Sequence, residues 1–551
     1  MNALQAVVVV PVVLPLLAAA VLLLLGDGRR RLGSIINVAA TAAGLAVAVV
    51  VFRAVDAAPG PGAIAVHLAA NWAAPFGIAL VADRLSALML VLVGIVSLAS
   101  ALYATAGWAR AGAYFRPLFQ IQLMGLNGAF LTADLFNLFV FFEVMLAASY
   151  GLQLHASGWP RVRSGMHYIA VNLLASSMFL VGLAVLYGVM GTLSMADVAD
   201  KMALVPAGDR GLLHAGVAIL AMAFLVKAAV WPLNAWLVPA YSATSTPVAA
   251  LFVLMTKVGV YAVLRTWTLM FPPDTLPDAQ FGWQVLLGGG LATLAFGASG
   301  VLASIRLDRI AAFSVIASSG TLLAAFAFGA SSIGAAALFY LVGATLAAST
   351  LFLLVELVQR TSAAGQARRA AFAEVPDEDD NLDDDQLPLV GRVFPVSVAA
   401  LALAFLACAL LVAGLPPLAG FLAKASLLVA VVRHGPPGFA GAGAIAATWL
   451  MVGLVLYSSL CASISLMRAG IRHFWAKGGG TAPVVRSVEG IALMLLIGAS
   501  LALTAFGERA LRYTEATAAY LQAPRPYIDA VLSARSLERA PAAAPERGAG
   551  R

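Results

Sequence analysis

Charge is the scarcest property of this 551-residue sequence: Asp, Glu, Lys and Arg together make up 11% of it, against 62% hydrophobic residues. Soluble globular chains carry about 25% charged and about 45–50% apolar residues. The apolar surplus therefore has no water-soluble core to enter. This excludes a soluble enzyme, a disordered chain and a nucleic-acid-binding domain. Cysteine is nearly absent. Cys408 and Cys461 both lie in apolar stretches, without metal-ligand spacing or a redox motif, and read as small buried hydrophobes. His67, His155, His167, His214, His434 and His473 fall near the ends of apolar runs or in loops, so no mid-membrane pair is placed to ligate haem. No glycine-rich loop leads into a helix as a phosphate site would require. No metal, haem, nucleotide or other cofactor is expected.

Long apolar runs dominate what remains. Fourteen candidate spans lie near 4–25, 33–54, 85–106, 117–133, 135–155, 165–190, 213–238, 244–270, 281–304, 309–330, 333–358, 394–430, 440–468 and 487–506. Most reach the roughly 20 residues that a helix needs to cross a bilayer, so the expected fold is an all-α polytopic membrane protein of about fourteen helices. The first run has no basic segment before it and a second span follows directly, so it reads as a span and not as a cleaved leader. Two segments are not membrane. Residues 374–385 form an acidic run that reads as a solvated linker, and residues 540–551 (Ala, Pro, Gly and Arg) read as a disordered end.

Alternate loops hold seventeen Lys and Arg and the opposite loops six, counting Arg84 and Arg265 among the six. The positive-inside rule then places both termini outside the cytoplasm, and an even number of spans requires the termini to share a side.

Four charges stand inside apolar runs: Glu143, Lys227, Lys257 and Lys424. An ionisable group there costs from roughly 2.5 kcal/mol upward and needs a partner, water or a function. The choice of cation is informative. Of five lysines three lie inside spans, whereas none of the 28 arginines lies at the middle of one. Burial can bring a lysine's proton affinity close to neutral pH, whereas arginine stays charged. Three such lysines and one carboxylate point to a proton relay; the alternative is a static Glu143–Lys227 pair that fixes helix packing. Pro232 follows Lys227, and Pro416 and Pro417 precede Lys424. Proline opens a helix, and such breaks survive in membranes only where protein or internal water satisfies the freed backbone. The two broken spans are five apart, as an inverted five-helix repeat would place them. Thr256, Ser318, Ser319, Thr345 and Ser349 are candidates for holding waters between the charges; each is equally able to make an ordinary interhelical hydrogen bond.

At this point the motifs resemble a known family. Ala-Asp-Arg-Leu-Ser-Ala-Leu-Met (82–89), Phe-Glu-Val-Met-Leu (142–146), Lys-Ala-Ala-Val-Trp-Pro-Leu-Asn-Ala-Trp-Leu (227–237) and Gly-Leu-Pro-Pro-Leu-Ala-Gly-Phe (414–421) are similar to the antiporter-like subunits of Mrp-type (Mnh, Pha) Na+/H+ antiporters, respiratory complex I and membrane-bound hydrogenases. The resemblance runs from about residue 80 to 505, and the tail Tyr-Ile-Asp-Ala-Val-Leu (527–532) is similar to the end of Mrp D subunits. It implies three leading helices (1–110), a first repeat of helices 4–8 (111–272), a second repeat of helices 9–13 with the acidic loop 360–393 (273–470), helix 14 (471–510) and a tail (511–551). It also implies a Glu–Lys pair at Glu143 and Lys227, a connecting Lys257 and a terminal Lys424. One departure stands out. Where many relatives carry histidine or lysine in span eleven, residues 339–350 have neither, so a link from Lys257 to Lys424 must run through water and hydroxyls.

The expected function is a proton-translocating subunit of a multisubunit Na+ or K+/H+ antiporter in a bacterial inner membrane, a transporter and not an enzyme, with other membrane subunits as partners and no nucleic acid. The alternative is the same machinery driven by electron transfer in complex I or a hydrogenase. A third reading is a non-transporting scaffold.

Overall fold

The computed structural model describes residues 2–57, 64–272, 281–371, 396–436, 441–475 and 485–535. The acidic run 374–385 and the end 540–551 lie outside the described residues. In chain order the helices are α1 (Asn2–Val7), α2 (Val10–Leu25), α3 (Arg30–Ala57), α4 (Arg84–Thr105), α5 (Phe115–Leu131), α6 (Leu135–Gln153), α7 (Trp159–Met190), α8 (Met195–Lys201), α9 (Arg210–Lys227) and α10 (Leu237–Ala243). They continue as α11 (Thr246–Met270), α12 (Trp283–Ala303), α13 (Leu307–Ala327), α14 (Ser331–Ala371), α15 (Val396–Ala413), α16 (Ala419–Arg433), α17 (Ala442–Gly470), α18 (Ser487–Ala505), α19 (Gly507–Gln522) and α20 (Arg525–Leu532). Strands β1 (Ala65–Leu68) and β2 (Ala79–Ala82) pair antiparallel with Ala65 opposite Ala82.

The chain is a multi-pass membrane protein. Among the described residues thirteen helices are long and apolar enough to cross a bilayer. The fourth expected span is α5, a helix of 17 residues. Two expected spans are each two pieces: the seventh is α9 and α10, separated by residues 228–236, and the twelfth is α15 and α16, separated by residues 414–418. The tail expected after span fourteen begins with two helices. Residues 507–532 fold into α19 and α20, whose Tyr513, Tyr520, Leu521, Tyr527 and Ile528 are buried against the bundle. The signal for them was present as short apolar spacing on a polar helix, which a search for 20-residue apolar runs passes over.

The first and last described segments lie on one face, here called the terminal face. The Gln5 carbonyl meets His67 Nδ1 at 3.1 Å, Tyr513 donates to the Arg84 carbonyl at 2.8 Å, and Arg525 pairs with Asp200 at 2.7 Å. The opposite face carries Arg110, Arg161, Arg360, Arg468, Arg472 and Arg486, several of which donate to carbonyls at helix ends, such as Arg472 to Ile305 at 3.1 Å. Satisfying orphan carbonyls at C-termini with arginine also places positive charge at the negative ends of the helix dipoles.

Helix α11 is the centre of the bundle: every residue of its apolar window is buried, and it packs against α4, α9, α13 and α14. By contrast α3, α7, α15, α17 and α18 bury a third or less of theirs. Their outward side chains, such as Leu403, Trp449 and Met467, are exposed, as suits lipid or other membrane subunits.

Candidate functional site

The three intramembrane lysines lie where helices break or where hydroxyls are supplied. Lys227 is the last residue of α9. Beyond it the helix opens: Ala229 adopts φ 57° and Pro232 has no N–H to continue the ladder. The freed backbone is met locally. The Trp236 indole donates to the Val226 carbonyl at 3.2 Å, and the Trp231 N–H donates to Thr293 Oγ1 at 2.9 Å. Gly259 of α11 lies directly against this break, since a Cβ there would come within 2.5 Å of the Ala228 nitrogen and 2.9 Å of the Lys227 carbonyl carbon.

Lys227 and Glu143 are joined through α7. The Lys227 ammonium donates to Asn172 Oδ1 at 3.4 Å, and Ser176 donates to the Glu143 carboxylate. Asn172 and Ser176 are one turn apart, so a single face of α7 bridges the two charges. No Glu143–Lys227 ion pair within 4 Å is present among the described residues. The pair implied by the resemblance is thus an indirect one.

Lys257, wholly buried in α11, donates to Ser318 Oγ at 2.6 Å and reaches Ser319 Oγ at 3.5 Å, both on α13. Lys424 turns back from α16 across the second break. It donates to the carbonyls of Val412 and Ala413 at 3.2 and 3.0 Å and to Ser459 Oγ at 2.9 Å. Those carbonyls are the unpaired C-terminal groups of α15. Gly420 permits the fold-back, because a Cβ there would lie 2.1 Å from the Leu411 oxygen.

A small cavity lies between the last two lysines. Ser318, the acceptor of Lys257, lines it at one side and Lys424 at the other, with Ser314, Ser458 and Tyr340 between them. Span eleven supplies this connection with Tyr340 and the small side chains Ala344, Ala347 and Ala348. The room those alanines leave stands where the resemblance would have placed a basic group. Its serines, Tyr340 and Lys424 offer polar partners to a few bridging waters.

The chain matches the family model described as NADH:quinone oxidoreductase/Mrp antiporter, transmembrane part, over residues 132–449. It is 46% identical over 528 residues, covering 96% of this chain and 97% of the relative, to the D subunit of a probable K(+)/H(+) antiporter of Rhizobium meliloti. It is 30% identical over 534 residues to the D subunit of a Na(+)/H(+) antiporter of Bacillus subtilis, covering 95% and 99%. The chain belongs to this family. Its fold is similar to a chain of the Mrp complex from Dietzia, with TM-score 0.79, 28% identity and coverage of 97% of this chain and all of that one.

Of the five water-wire candidates named from the sequence, Ser318 and Ser319 touch Lys257. The others donate to backbone: Thr256 to Val253 at 2.8 Å, Thr345 to Leu341 at 2.6 Å and Ser349 to Ala250 at 3.0 Å. Ser459 and Tyr340 were missed, because a lone hydroxyl in an apolar run gives no signal until its neighbours across the bundle are known. The larger correction concerns Arg265. It is not a loop residue: it lies in α11, 3% exposed, paired with the equally buried Asp83 at 2.6 Å and stacked on Tyr261 and Tyr527. Burial of Asp83 and the tyrosines from α19 and α20 around it cannot be read from local hydropathy.

Proposed function

We propose that this chain is the D-type, proton-translocating subunit of a multisubunit monovalent cation/H+ antiporter, and that Glu143, Lys227, Lys257 and Lys424 form its relay. The observation that carries the reading is the sequence of buried amines, each held by neutral oxygen acceptors, with a small cavity lined by both Ser318, the partner of Lys257, and Lys424. A lysine bonded to neutral partners can give up its proton without leaving a buried carboxylate unpaired. Glu143 tunes how firmly Lys227 holds its proton through Asn172 and Ser176. The proton gradient supplies the driving force. The 46% identical relative belongs to a probable K(+)/H(+) antiporter and the 30% identical one to a Na(+)/H(+) antiporter, which supports a monovalent cation as cargo, K+ being the first to test.

The breaks at 228–236 and 414–418 lie in the seventh and twelfth spans, which run in opposite directions. In both the lysine reaches the C-terminal end of the first half-helix. This supports an inverted repeat of helices 4–8 and 9–13, with the domain boundaries given above. The terminal face is assigned to the outside of a bacterial inner membrane, because the opposite face gathers the arginines and Arg265 no longer counts against the asymmetry. The exposed apolar faces of α3, α15 and α17 suit other membrane subunits of the complex.

The test is antiport in everted vesicles carrying the complete operon. Lys227→Ala and Lys227→Arg should both abolish cation-induced release of the pH gradient while the complex still assembles. Wild-type exchange in either variant would refute the relay.

A further inference from the structure

Helix α10, the second half of the broken seventh span, has seven residues, too few to hold its place by its own ladder. At its start the Trp236 indole donates to the Val226 carbonyl, next to Lys227, at 3.2 Å. Midway, Tyr241 donates to the Phe252 carbonyl of α11 at 2.7 Å, on the helix that carries Lys257. A shift of α10 therefore acts on the backbone near both lysines. The carbonyl of its last residue, Ala243, has no partner within the helix, and Pro247, four residues on, has no N–H to offer. Arg161 Nε of α7 supplies the missing donor at 2.9 Å.

Arg161 is fixed in turn. Its Nη1 donates to the His155 carbonyl at 2.9 Å, and its guanidinium carbon lies 5.1 Å from the centre of the Trp108 ring. Trp108 is held on two sides. Its carbonyl accepts from His155 Nε2 at 2.9 Å, and its indole N–H donates to Glu356 Oε2 of α14 at 2.7 Å. Tyr103 donates to the same oxygen at 3.2 Å, and Arg360 joins Glu356 to Glu489 of α18. An unbroken run of contacts thus links Ala243, at the end of α10, through Arg161 and Trp108 to α14, the helix whose Tyr340 lines the cavity beside Lys424. Any lysine or arginine can cap a helix C-terminus. Here the fork serves two carbonyls and its flat face rests on an indole, a combination lysine cannot reproduce. The arrangement specifies a position as well as supplying a charge.

We propose that Arg161 and Trp108 are positioning residues for proton transfer: they fix α10, and through it the helix break at Lys227, in register with Glu356 on α14. The first break is then held in part from the second half of the molecule. Contacts at the face opposite the terminal face set the geometry at which Lys227 gains and loses its proton. Neither residue touches a relay side chain; both act through α10. The inference rests on the relay reading for Lys227, and it is separable from that reading by experiment.

The assay is cation-induced exchange in everted vesicles carrying the complete operon, with complex abundance read on a native gel. In Arg161→Gln the maximal rate per complex is expected to fall about tenfold or more at an unchanged half-saturating cation concentration, since a misplacement of about 1 Å costs up to about 100-fold in rate. Arg161→Lys keeps the charge and one donor and should recover part of that loss. Trp108→Phe keeps a ring beneath the guanidinium and removes the indole N–H; a fall of about threefold is expected, the value of one modest hydrogen bond. With Glu356→Ala already in place, Trp108→Phe should cost nothing further. Arg163→Gln, at an exposed position in the same turn, should match wild type. Lower abundance with an unchanged rate per complex would mark Arg161 as a cap for folding alone and overturn the positioning role. A further threefold cost of Trp108→Phe beside Glu356→Ala would overturn the tie to α14. A wild-type rate in Arg161→Gln beside an inactive Lys227→Ala overturns the positioning and leaves the relay standing. A wild-type rate in Lys227→Ala overturns the relay, and this role of α10 with it.

Discussion

Gly259→Ala is the most direct probe of whether the relay depends on the register of α11 against the first helix break. The added Cβ would lie 2.5 Å from the Ala228 nitrogen, about 0.9 Å short of the 3.4 Å at which ordinary contact begins, with the Lys227 carbon and Phe224 oxygen both at 2.9 Å. All three obstacles are backbone, so no side chain can rotate away and α11 must move as a unit. Overpacking of this kind costs about 1–3 kcal/mol, offset by about 1 kcal/mol of helix propensity gained on replacing glycine. The net cost of about 0–2 kcal/mol leaves the complex assembled. The displacement acts on Lys257, two residues away and tied to Ser318 by a 2.6 Å bond, and on Lys227 at the break. A misplacement of about 1 Å in a proton-transfer geometry is worth up to about 100-fold in rate. We expect exchange in everted vesicles to fall at least tenfold at unchanged complex abundance. Gly188→Ala, also in a helix but with nothing within 4 Å of its Cβ, should behave as wild type. Exchange at the wild-type rate in Gly259→Ala would refute the idea that this contact sets the lysine geometry.

Three further outcomes follow from contacts already described. Ser318→Ala removes the nearer acceptor of Lys257 and one wall hydroxyl of the cavity beside Lys424; exchange should fall by about tenfold, the value of one lost hydrogen bond to a charged group, whereas Ser318→Thr should restore it. Asp83→Asn strands the buried Arg265 cation, which costs about 3–5 kcal/mol and should be read as lost complex on a native gel; adding Arg265→Met should recover assembly, and failure to recover would show the site to be more than a paired charge. His155 lies in the turn after α6, its Nε2 2.9 Å from the Trp108 carbonyl, and burial holds its imidazole below the ordinary histidine range. The native state therefore binds fewer protons than the unfolded one, so stability should decline as pH falls through about 6.5 and level off once below the native value. Thermal melting of detergent-purified complex at stepped pH should show a shallower decline for His155→Gln; an identical slope would overturn this assignment.

How far the fold was readable depends on the length scale of each signal. Spans of about 20 apolar residues are announced by composition alone, as α2, α4 and α11 are. Lys227, Lys257 and Lys424 are legible because an amine among leucines and valines has no ordinary reason to be there. Pro232, Pro416 and Pro417 mark both breaks for the same reason. What stays hidden depends on partners distant in the chain. Ser459 becomes an acceptor only when α16 folds back on α15, and Asn172 becomes a bridge only when α7 meets α9. Arg265 resembled a loop charge because it lies near the end of its span; its burial comes from Asp83, 182 residues earlier, and from Tyr527 of a helix that hydropathy does not register.

The contrast between the paired arginines and the buried lysines joins these observations. Arg265 pairs with Asp83 at 2.6 Å, and Arg360 pairs with the fully buried Glu489 at 2.8 Å. The first pair is buried on both sides, so removing either partner strands the other; in the second, a half-exposed Arg360 neutralises the buried Glu489. Such pairs cannot change charge cheaply, and both lie toward the ends of spans, where they tie helices at opposite faces of the bundle. The lysines are treated oppositely. Asn172, Ser318, Ser459 and the carbonyls of Val412 and Ala413 are neutral. They satisfy an ammonium by hydrogen bonds, and α15 adds the negative end of its dipole at Lys424. None of them becomes an unpaired charge when the proton leaves. A chain that needed only packing would have no use for this division. One that moves protons past fixed walls requires it: charges that stay belong to arginine–carboxylate pairs, and charges that come and go belong to amines among neutral oxygens.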